Sequence, residues 1–511
     1  MKKHTSHIAG TAIHHTLIIA LMLLISSCSF LEIDVENQLP AAAVDYTNTS
    51  DMYSPVVGVY AKLRFPGCHW VNQMLWTGRD EDMTSGRTDD QAEALLYSYR
   101  GGYQNPNSFW GLRNVWVTLY DIIRTSNSAL QSLDEYAQYI TDHNSQDYAD
   151  YLQYQGEIKC MRAWAYFMMV TSFGPCPLLT DNDQQDYTRS TVEHVCDYVI
   201  ADLEASIPYM TAAYPGEMPH SGAFTKYTAE ALAARFAMLK GDWQKMQDLT
   251  ADIIGSGKFE LASSTGDDYY NLFKIPGKLC RESLMEVQVT DYGQQSGDYI
   301  GVDQWFVCQG GEVRNADKTI NIAGWKFCRF NPNFVAWAEE RGEKARREVS
   351  FLVGGETLRN GWKVALTKKV IFNAKAYIPY EQMTGSATEF GRNNNVRLLR
   401  YAEVLLMNAE ASFRLGNTDA TFLNHVRERA GLAPVAALTE DIILDERRME
   451  LSAEWGLHYV DLVRTGRAAQ VLNQESLTRD YAPGQWTEEK KYWPVPGEVL
   501  AELPELAAEP K

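Results

Sequence analysis

The chain has 511 residues, of which 45% are hydrophobic and 22% are charged, and its formal net charge is −19. This composition is typical of a globular protein and excludes a disordered tail protein and a polytopic membrane protein. The negative charge also disfavours nucleic acid and anionic lipid surfaces as partners, because both are negatively charged themselves.

The amino terminus has the pattern of a bacterial lipoprotein signal peptide. Lys2 and Lys3 precede an apolar run at residues 17–25. As a helix this run would rise only about 14 Å, roughly half of a bilayer core, so it cannot span a membrane. The run ends in Ser26, Ser27 and Cys28, as in a lipobox. We therefore expect residues 1–27 to be removed and Cys28 to carry the acyl chains that anchor the protein.

Residues 28–50 have no sustained hydrophobic period and predict an extended, lipid-anchored tether. Glu32, Asp34 and Glu36 follow the anchor closely, which resembles the acidic signal that sends some lipoproteins to the outer face of the outer membrane. The other seven of the eight cysteines are scattered without C-x-x-C spacing. Their odd number argues against a full disulfide framework, and one or two bridges stay open in an oxidising compartment.

From about residue 51 to residue 261, apolar residues recur at helical spacing. The clearest segment covers about residues 147–170, where Tyr151, Tyr154 and Ile158 begin an apolar stripe with steps of three and four. The stripe stops before Phe173-Gly174-Pro175, which is typical of a helix end.

Two segments share one design. In each, a stripe containing Ala-Glu is broken by a glycine, at Gly241 and at Gly416, and a second helix follows. A helix, a glycine turn and a second helix over about 30 residues are typical of tetratricopeptide-like repeats, which must stack to bury their apolar faces. We predict an all-α fold of tetratricopeptide-like stacked helix pairs over residues 51–261 and 396–511, with Leu399 on the stripe of the last repeat.

Residues 262–395 are rich in Gly, Asn and aromatic residues. Met285, Val287 and Val289 alternate there with polar residues, as in a short strand. We predict an irregular insert that contains short β-strands and lies on the ligand side of the helical scaffold.

A series of motifs resembles, in order, the SusD/RagB family of outer-membrane nutrient-binding lipoproteins over nearly all of the chain after Cys28. The earlier motifs are WVTLY (116–120), RAWAYF (162–167), FGPCPL (173–178) and GDW (241–243). The later and more specific motifs are LRYAEVLL (399–406), LNHVRERAGL (423–432), ERRMEL (446–451), DLVRTG (461–466) and YWPVP (492–496).

The resemblance implies a lipoprotein that faces the cell exterior, binds oligosaccharide nutrients and delivers them to a SusC-like TonB-dependent transporter. Oligopeptides are the alternative ligand, and no cofactor is implied. The chain departs from the family at residues 454–460, where the family usually has an arginine and this sequence has none. That difference leaves one buried ion pair in question.

Loop aromatics are the candidates for stacking on a sugar ring. They lie among glycines and polar residues rather than inside helical motifs, and they are Trp70, Trp76, Tyr103, Tyr299, Trp305 and Trp325. For each of them, packing in the core or on the surface is the alternative.

Glu446, Glu450 and Glu454 recur at helical spacing and suggest a lipid-anchored glycoside hydrolase as a rival function. Glycosidase carboxylates flank a bound sugar and normally come from separate elements. Because Arg447 and Arg448 are within reach, we expect these acids to form salt bridges and the protein to bind without catalysis. A purely structural lipoprotein is a further alternative.

The acidic run Asp80-Glu81-Asp82 is the only feature that suggests a metal. It lacks the alternating oxygen ligands of a calcium-binding loop, and the sequence has no H-E-x-x-H motif. We predict a solvated loop and no metal site, with a structural calcium ion left open.

Overall fold

Helices joined by short turns make up most of the protein, as a computed structural model describes it for residues 44–85, 99, 109–289, 303–366, 370–383, 393–474 and 485–511. The helices are α1 (Ser54–Cys68), α2 (Trp70–Thr77), α3 (Trp110–Ala137), α4 (Gln146–Ser172), α5 (Val192–Glu204), α6 (Lys226–Lys240), α7 (Trp243–Gly255), α8 (Asp268–Asn271), α9 (Trp305–Gln309), α10 (Pro332–Glu340), α11 (Ala345–Ser350), α12 (Tyr401–Arg414), α13 (Thr421–Arg429), α14 (Glu440–Glu450), α15 (Leu457–Arg464), α16 (Ala468–Leu472) and α17 (Gly497–Glu502).

The strands are short. They are β1 (Met83–Ser85), β2 (Cys176–Pro177), β3 (Arg189–Ser190), β4 (Ser283–Val287), β5 (Glu312–Arg314), β6 (Asn321–Ala323), β7 (Cys328–Phe330), β8 (Phe351–Val353), β9 (Lys363–Val364), β10 (Ile371–Asn373) and β11 (Val396–Arg400). They pair antiparallel as β1–β7, β2–β3, β4–β11, β8–β10 and β6–β5–β9.

The longer helices pack in chain order. Helix α3 packs on α1 and α4, α6 packs on α5 and α7, and α12 packs on α7, α13 and α14. Since each helix buries its apolar face between neighbours, the core runs along the stack. The predicted all-α, tetratricopeptide-like fold with short strands is confirmed.

Helix ends follow from local chemistry. Helix α6 ends at Gly241, which has φ +72°, a conformation that glycine adopts without a Cβ penalty. Asp242 then caps α7, its carboxylate accepting a hydrogen bond from the Lys245 amide at 3.2 Å. At α4 the Ser145 hydroxyl accepts from the Tyr148 amide at 3.3 Å. The predicted helix over 147–170 is confirmed, and so is the glycine turn at Gly241.

The pair β4–β11 joins the chain on either side of residues 288–395, with Met285 opposite Leu399. The strand predicted from the alternation at Met285 and Val287 is confirmed. The placement of Leu399 on a helix is wrong: the ladder with β4 holds it in extended backbone, and α12 begins at Tyr401.

The pair β1–β7 brings the segment after α2 against the strand-containing region, with Met83 opposite Phe330. The Asn331 amide extends this contact by donating to the Asp82 carbonyl at 2.7 Å. Residues near Trp70 and residues near Trp325 are thereby drawn together.

Candidate functional site

A group of aromatic rings is exposed beside the β1–β7 pair. The Trp70 ring centroid lies 5.0 Å from that of Trp325, 5.8 Å from that of Trp110 and 5.7 Å from that of Phe327. Trp325 and Trp110 meet Trp70 at interplanar angles of 81° and 71°. Trp110 is 55% exposed and Trp325 is 39% exposed. We name Trp70, Trp110, Trp325 and Phe327 the aromatic platform.

Two platform rings begin helices. His69 is extended between α1 and α2, and its Nδ1 atom accepts from the Val71 amide at 3.3 Å, so Trp70 becomes the first residue of α2. Phe109 is likewise extended before Trp110, the first residue of α3. The two helix starts lie side by side, which brings their tryptophans together.

Trp325 is positioned by close backbone packing. The amides of Gly324 and Lys326 donate to the carbonyls of Gly311 and Gly310 at 2.9 and 3.1 Å. A Cβ atom at Gly324 would lie 2.4 Å from the Phe306 carbonyl oxygen, so only glycine allows this approach. The tight contact fixes the backbone on both sides of Trp325.

The platform carries no charge at neutral pH. Burial lowers the pKa of the neighbouring His69 to about 4, so its imidazole is neutral. Charged groups lie at the rim, where Glu312 binds Lys326 at 3.2 Å and Arg314 at 2.7 Å. Uncharged ring faces with a polar rim suit a ligand that has both C–H faces and hydroxyl groups.

Of the six aromatic residues predicted to contact ligand, the structure brings two together, Trp70 and Trp325. Tyr103 and Tyr299 lie outside the described residues, as does the predicted lipidation site Cys28. Trp110 was missed by sequence reasoning. The signal that could have found it is its position just after the polar, glycine-containing stretch of Tyr103.

The structure places Trp76 and Trp305 in the core and not at the ligand surface where they were predicted to lie. Trp76 is 2% exposed, and its Nε1 atom donates to the Ser172 hydroxyl at 3.0 Å. Trp305 is 4% exposed. Both rings pack against Trp455, at centroid distances of 5.5 and 5.6 Å. They lie in the core because α2 and α9 turn these side chains inward, so a ligand cannot stack on them here.

The acidic run at residues 80–82 is buried, so the predicted solvated loop is wrong. Arg448 Nε donates to both Asp82 oxygens at 2.9 and 3.0 Å, and His458 Nε2 lies 2.9 Å from Glu81 Oε1. Burial opposes ionisation of Glu81, but His458 and Arg448 lower its pKa to about 2. Burial likewise disfavours the imidazolium, but Glu81 and Asp82 raise the pKa of His458 to about 9. The stretch 454–460, which lacks an arginine, therefore still contributes a buried ion pair through His458.

Glu81, Asp82 and His458 place one potential metal ligand each within 4.8 Å of one another. Arg448 Nη2 lies 3.0 Å from Glu81 Oε1 and also binds Asp82, so its guanidinium already pairs both carboxylates. Calcium prefers oxygen ligands and finds an imidazole nitrogen here. This donor set does not fit calcium.

The acids of the ERRMEL segment belong to a buried ion network. Glu450 Oε1 accepts from Arg429 at 2.6 Å and from Arg400 at 3.0 Å, and Glu450 Oε2 accepts from Arg346 at 3.1 Å. Burial opposes ionisation, but these guanidinium groups hold the pKa of Glu450 below its usual range. We name the following residues the ion network: Glu282, Arg346, Lys375, Arg400, Arg429, Glu446, Glu450 and Glu454.

The predicted salt bridges of Glu446, Glu450 and Glu454 are confirmed, although their partners are not the arginines next to them in sequence. Arg447 binds Asp461 at 2.8 Å instead, and Arg448 binds Asp82. An acid held by several guanidinium groups is a poor proton donor for a glycosidic oxygen.

A concave surface lies beside Tyr270, and its two arginines are already paired with acids. Arg359 binds Glu348 at 2.6 Å and Arg347 binds Glu356 at 2.7 Å. The aromatic platform is therefore the better candidate for an uncharged ligand.

Two family models match the chain. One, described as "SusD family", matches residues 358–507, and the other, described as "Starch-binding associating with outer membrane", matches residues 81–238. The chain belongs to the SusD/RagB family. Residues 81–238 of this SusD/RagB protein include Glu81, Asp82 and Trp110, and residues 358–507 include most of the acids of the ion network.

Known relatives of this SusD/RagB protein share its sequence pattern and its fold. SusD-like protein P38 of Formosa agariphila is 26% identical over 408 residues, which are 71% of this chain and 75% of the relative. Surface glycan-binding protein A from Bacteroides uniformis is similar in structure, with 25% identity, a TM-score of 0.71, and coverage of 90% of this chain and 98% of that one. Surface glycan-binding protein A from Bacteroides thetaiotaomicron, solved in complex with laminarihexaose, is 23% identical with a TM-score of 0.72 and the same coverage.

Every helix within the described parts of the chain is too short or too polar to cross a bilayer.

Proposed function

We propose that this SusD/RagB protein binds oligosaccharides on the aromatic platform. The observation that carries the proposal is the contact of Trp70 with Trp325 at 5.0 Å, beside the exposed Trp110. Tryptophan faces stack on the C–H faces of sugar rings, and rings set at steep angles to one another can follow a curved oligomer. Trp70 and Trp325 are the proposed ligand residues, and Trp110 joins them.

The proposed partner is a SusC-like TonB-dependent transporter, and the proposed location is the outer face of the outer membrane. The lipobox at Cys28, the acids that follow it and a family described as associating with the outer membrane support this assignment. Acyl chains on Cys28 would hold the protein beside the transporter, where a released oligosaccharide is at high local concentration.

A binding role without catalysis is the proposal, because the platform holds no carboxylate and the acids of the ERRMEL segment are locked by arginines. Oligopeptides are the second candidate ligand within the same family role. The uncharged platform favours glycans, since a peptide's charged termini find their partners only at its rim.

The test is calorimetry on the purified protein with laminarihexaose, xyloglucan oligosaccharides and a set of oligopeptides. We expect heat from at least one oligosaccharide and none from the peptides. Heat from peptides alone would overturn the glycan assignment. Release of reducing ends from a bound oligosaccharide would overturn the non-catalytic assignment.

A double variant tests the platform itself. Trp70→Ala with Trp325→Ala should weaken binding at least about 30-fold, since truncating a tryptophan at the centre of a site costs about 2 kcal/mol or more. The matched control is Trp362→Ala, a half-buried tryptophan that stacks on Tyr380 at 5.4 Å outside the platform. Unchanged affinity in the double variant, with a normal fold by circular dichroism, would remove the platform from the proposal.

A further inference from the structure

Two cysteines lie directly behind the aromatic platform. Cys308 is in α9, three residues after Trp305, and Cys328 is the first residue of β7, next to Phe327. Both side chains are completely buried.

The backbone holds these two segments side by side. The Phe327 amide donates to the Cys308 carbonyl at 2.9 Å, and the Lys326 amide donates to the Gly310 carbonyl at 3.1 Å. The opposite edge of β7 is fixed by β1, in which Ser85 lies opposite Cys328. The position of each cysteine is thus set by ladder-like hydrogen bonds rather than by a loose loop.

The Cys328 thiol is close enough to Cys308 to raise the pKa of the Cys308 thiol. The Cys308 thiol donates weakly to the Trp305 carbonyl, at an Sγ to oxygen distance of 3.5 Å. Disulfides form between cysteines whose Cα atoms lie within about 7 Å of each other, and the hydrogen bond from Phe327 to Cys308 joins the backbones of the two segments directly.

We propose that Cys308 and Cys328 form an intramolecular disulfide that clamps the strand carrying Trp325 and Phe327 to α9. The proposal rests on the proposed function in one respect, that the protein is exported to an oxidising compartment, where disulfides persist. The clamp lies on the side of the platform away from the ligand and fixes two of its rings.

The bond forms by thiol–disulfide exchange with a disulfide-bearing oxidoreductase of the cell envelope. The thiolate of one cysteine attacks the disulfide of the oxidoreductase and gives a mixed disulfide, and the second thiolate then displaces it. The two thiols lose two protons and two electrons, and the electrons reduce the oxidoreductase disulfide to a dithiol.

The exchange takes place before the core closes. Burial and the neighbouring Cys328 thiol raise the pKa of Cys308 well above its usual range, so the folded pair holds little of the reactive thiolate. Once formed, the bond is equally shielded from reductants.

The decisive measurement is thiol counting on the mature protein isolated from the outer membrane of cells that export it. Seven cysteines follow Cys28. In denaturant without reductant we expect five to react with iodoacetamide, and seven after reduction. Peptide mapping should find the Cys308 peptide linked to the Cys328 peptide, with a mass two hydrogen atoms below their sum.

Two variants control this count. Cys160→Ser removes a buried thiol that has no cysteine beside it and should leave the linked peptide in place. Cys308→Ser with Cys328→Ser should abolish the linked peptide. Reaction of all seven thiols without reductant would overturn the proposal, and so would a link between another pair, such as Cys176 and Cys196.

A second measurement tests the clamp. Protein that is reduced in denaturant and refolded with reductant should bind the platform's oligosaccharide about 3-fold to 10-fold more weakly, because a loosened Trp325 must be ordered again on binding. The Cys308→Ser, Cys328→Ser protein should show the weakened affinity with or without reductant. Equal affinity in all four cases would contradict the clamp. Thiol counting needs no ligand, so a missing disulfide and a missing glycan affinity are separate results.

Discussion

The ion network and the aromatic platform use side chains in opposite ways. The ion network gathers full charges in the core, where Glu450 meets three arginines and almost no water. The platform leaves large apolar rings partly exposed and keeps charges at its rim. One region holds the chain together, and the other is available to a ligand.

The comparison shows that the strongest electrostatics need not mark the functional site. Shifted pKa values often point to catalysis, yet here they cluster where acids and bases are paired inside the fold. Beside the proposed ligand surface, His69 is neutral and the rim charges of Glu312, Lys326 and Arg314 pair with one another. A search led by charge alone would have chosen the ion network rather than the proposed platform.

The largest expected effect follows from breaking the ion network. Glu450→Gln leaves Arg346, Arg400 and Arg429 without their shared counter-charge, and we expect a loss of about 3–5 kcal/mol in the free energy of unfolding. Urea unfolding measures it. The control is Glu339→Gln, an exposed partner of Arg347, which should change stability by less than about 0.5 kcal/mol. Equal small effects would show that the buried pairing contributes little.

The next effect tests the platform residue that the sequence did not reveal. Trp110→Ala should weaken oligosaccharide binding by about 2 kcal/mol while stability changes little, because the ring is more than half exposed. Calorimetry and thermal unfolding measure the two quantities. Tyr139→Ala is the control, since Tyr139 is as exposed but outside the platform. Unchanged affinity would restrict the platform to Trp70, Trp325 and Phe327.

A third effect concerns the ion pair of His458, which faces Glu81, Asp82 and Arg448, with Asp80 nearby. The folded pKa of about 9 lies above the ordinary value of 6.5, so its stabilisation is complete below pH 6.5 and is lost as the pH rises through 9. His458→Arg keeps the charge and should remove about 2 kcal/mol of this decline. Chemical unfolding at pH 6 and pH 9.5 measures the difference.

The control for His458 is His425→Arg, which changes an exposed histidine and should leave the pH profile of the wild type intact. Burial raises the pKa of Asp80 to about 7, so Asp80 also titrates between pH 6 and pH 9.5 in all three proteins, and His425→Arg shows its contribution with His458 intact. A decline that persists in His458→Arg would assign the pH dependence to other groups.

The smallest expected effect concerns Glu157, a buried acid that is held by neutral hydrogen-bond donors, in contrast to the arginine-paired acids of the ion network. Glu157 accepts from Tyr60 at 2.9 Å, Tyr53 at 3.2 Å and Gln153 at 2.9 Å. Burial raises its pKa to about 7, so stability is lost as the pH rises from 4.5 through 7. Glu157→Gln should be more stable than the wild type by about 1 kcal/mol at pH 8 and not at pH 4. A wild type that is more stable at both pH values would contradict this reading.

The helical scaffold was accessible from the sequence because its signals are local. Gly241 and Asp242 mark the end of one helix and the start of the next. The apolar stripe from Tyr151 onward predicts which face of its helix is buried. The strand at Met285 was also found by alternation, but its polar residue Glu286 is buried against Asn395 rather than exposed. The alternation therefore predicted the extended backbone correctly but did not predict that both faces of the strand are buried.

The candidate site was only half accessible, since a contact between distant residues leaves no local pattern. Trp70 and Trp325 were named separately, and only the β1–β7 pair shows why they meet. Trp76 has the same polar neighbours in sequence as Trp70, yet it lies on the inner face of α2. The run at residues 80–82 read as solvated because its partners Arg448 and His458 lie more than 300 residues away.

The β4–β11 pair has a consequence for how the family can diversify. It brings the ends of residues 288–395 together, and Glu282 and Arg400 bind each other beside it at 2.6 Å. Chain between the two strands can therefore be lengthened, shortened or exchanged without moving the helices, provided that Arg346 and Lys375 still reach Glu450 and Glu454. Sequence changes in that stretch can therefore reshape the proposed ligand surface around Trp325 while the helical scaffold stays the same.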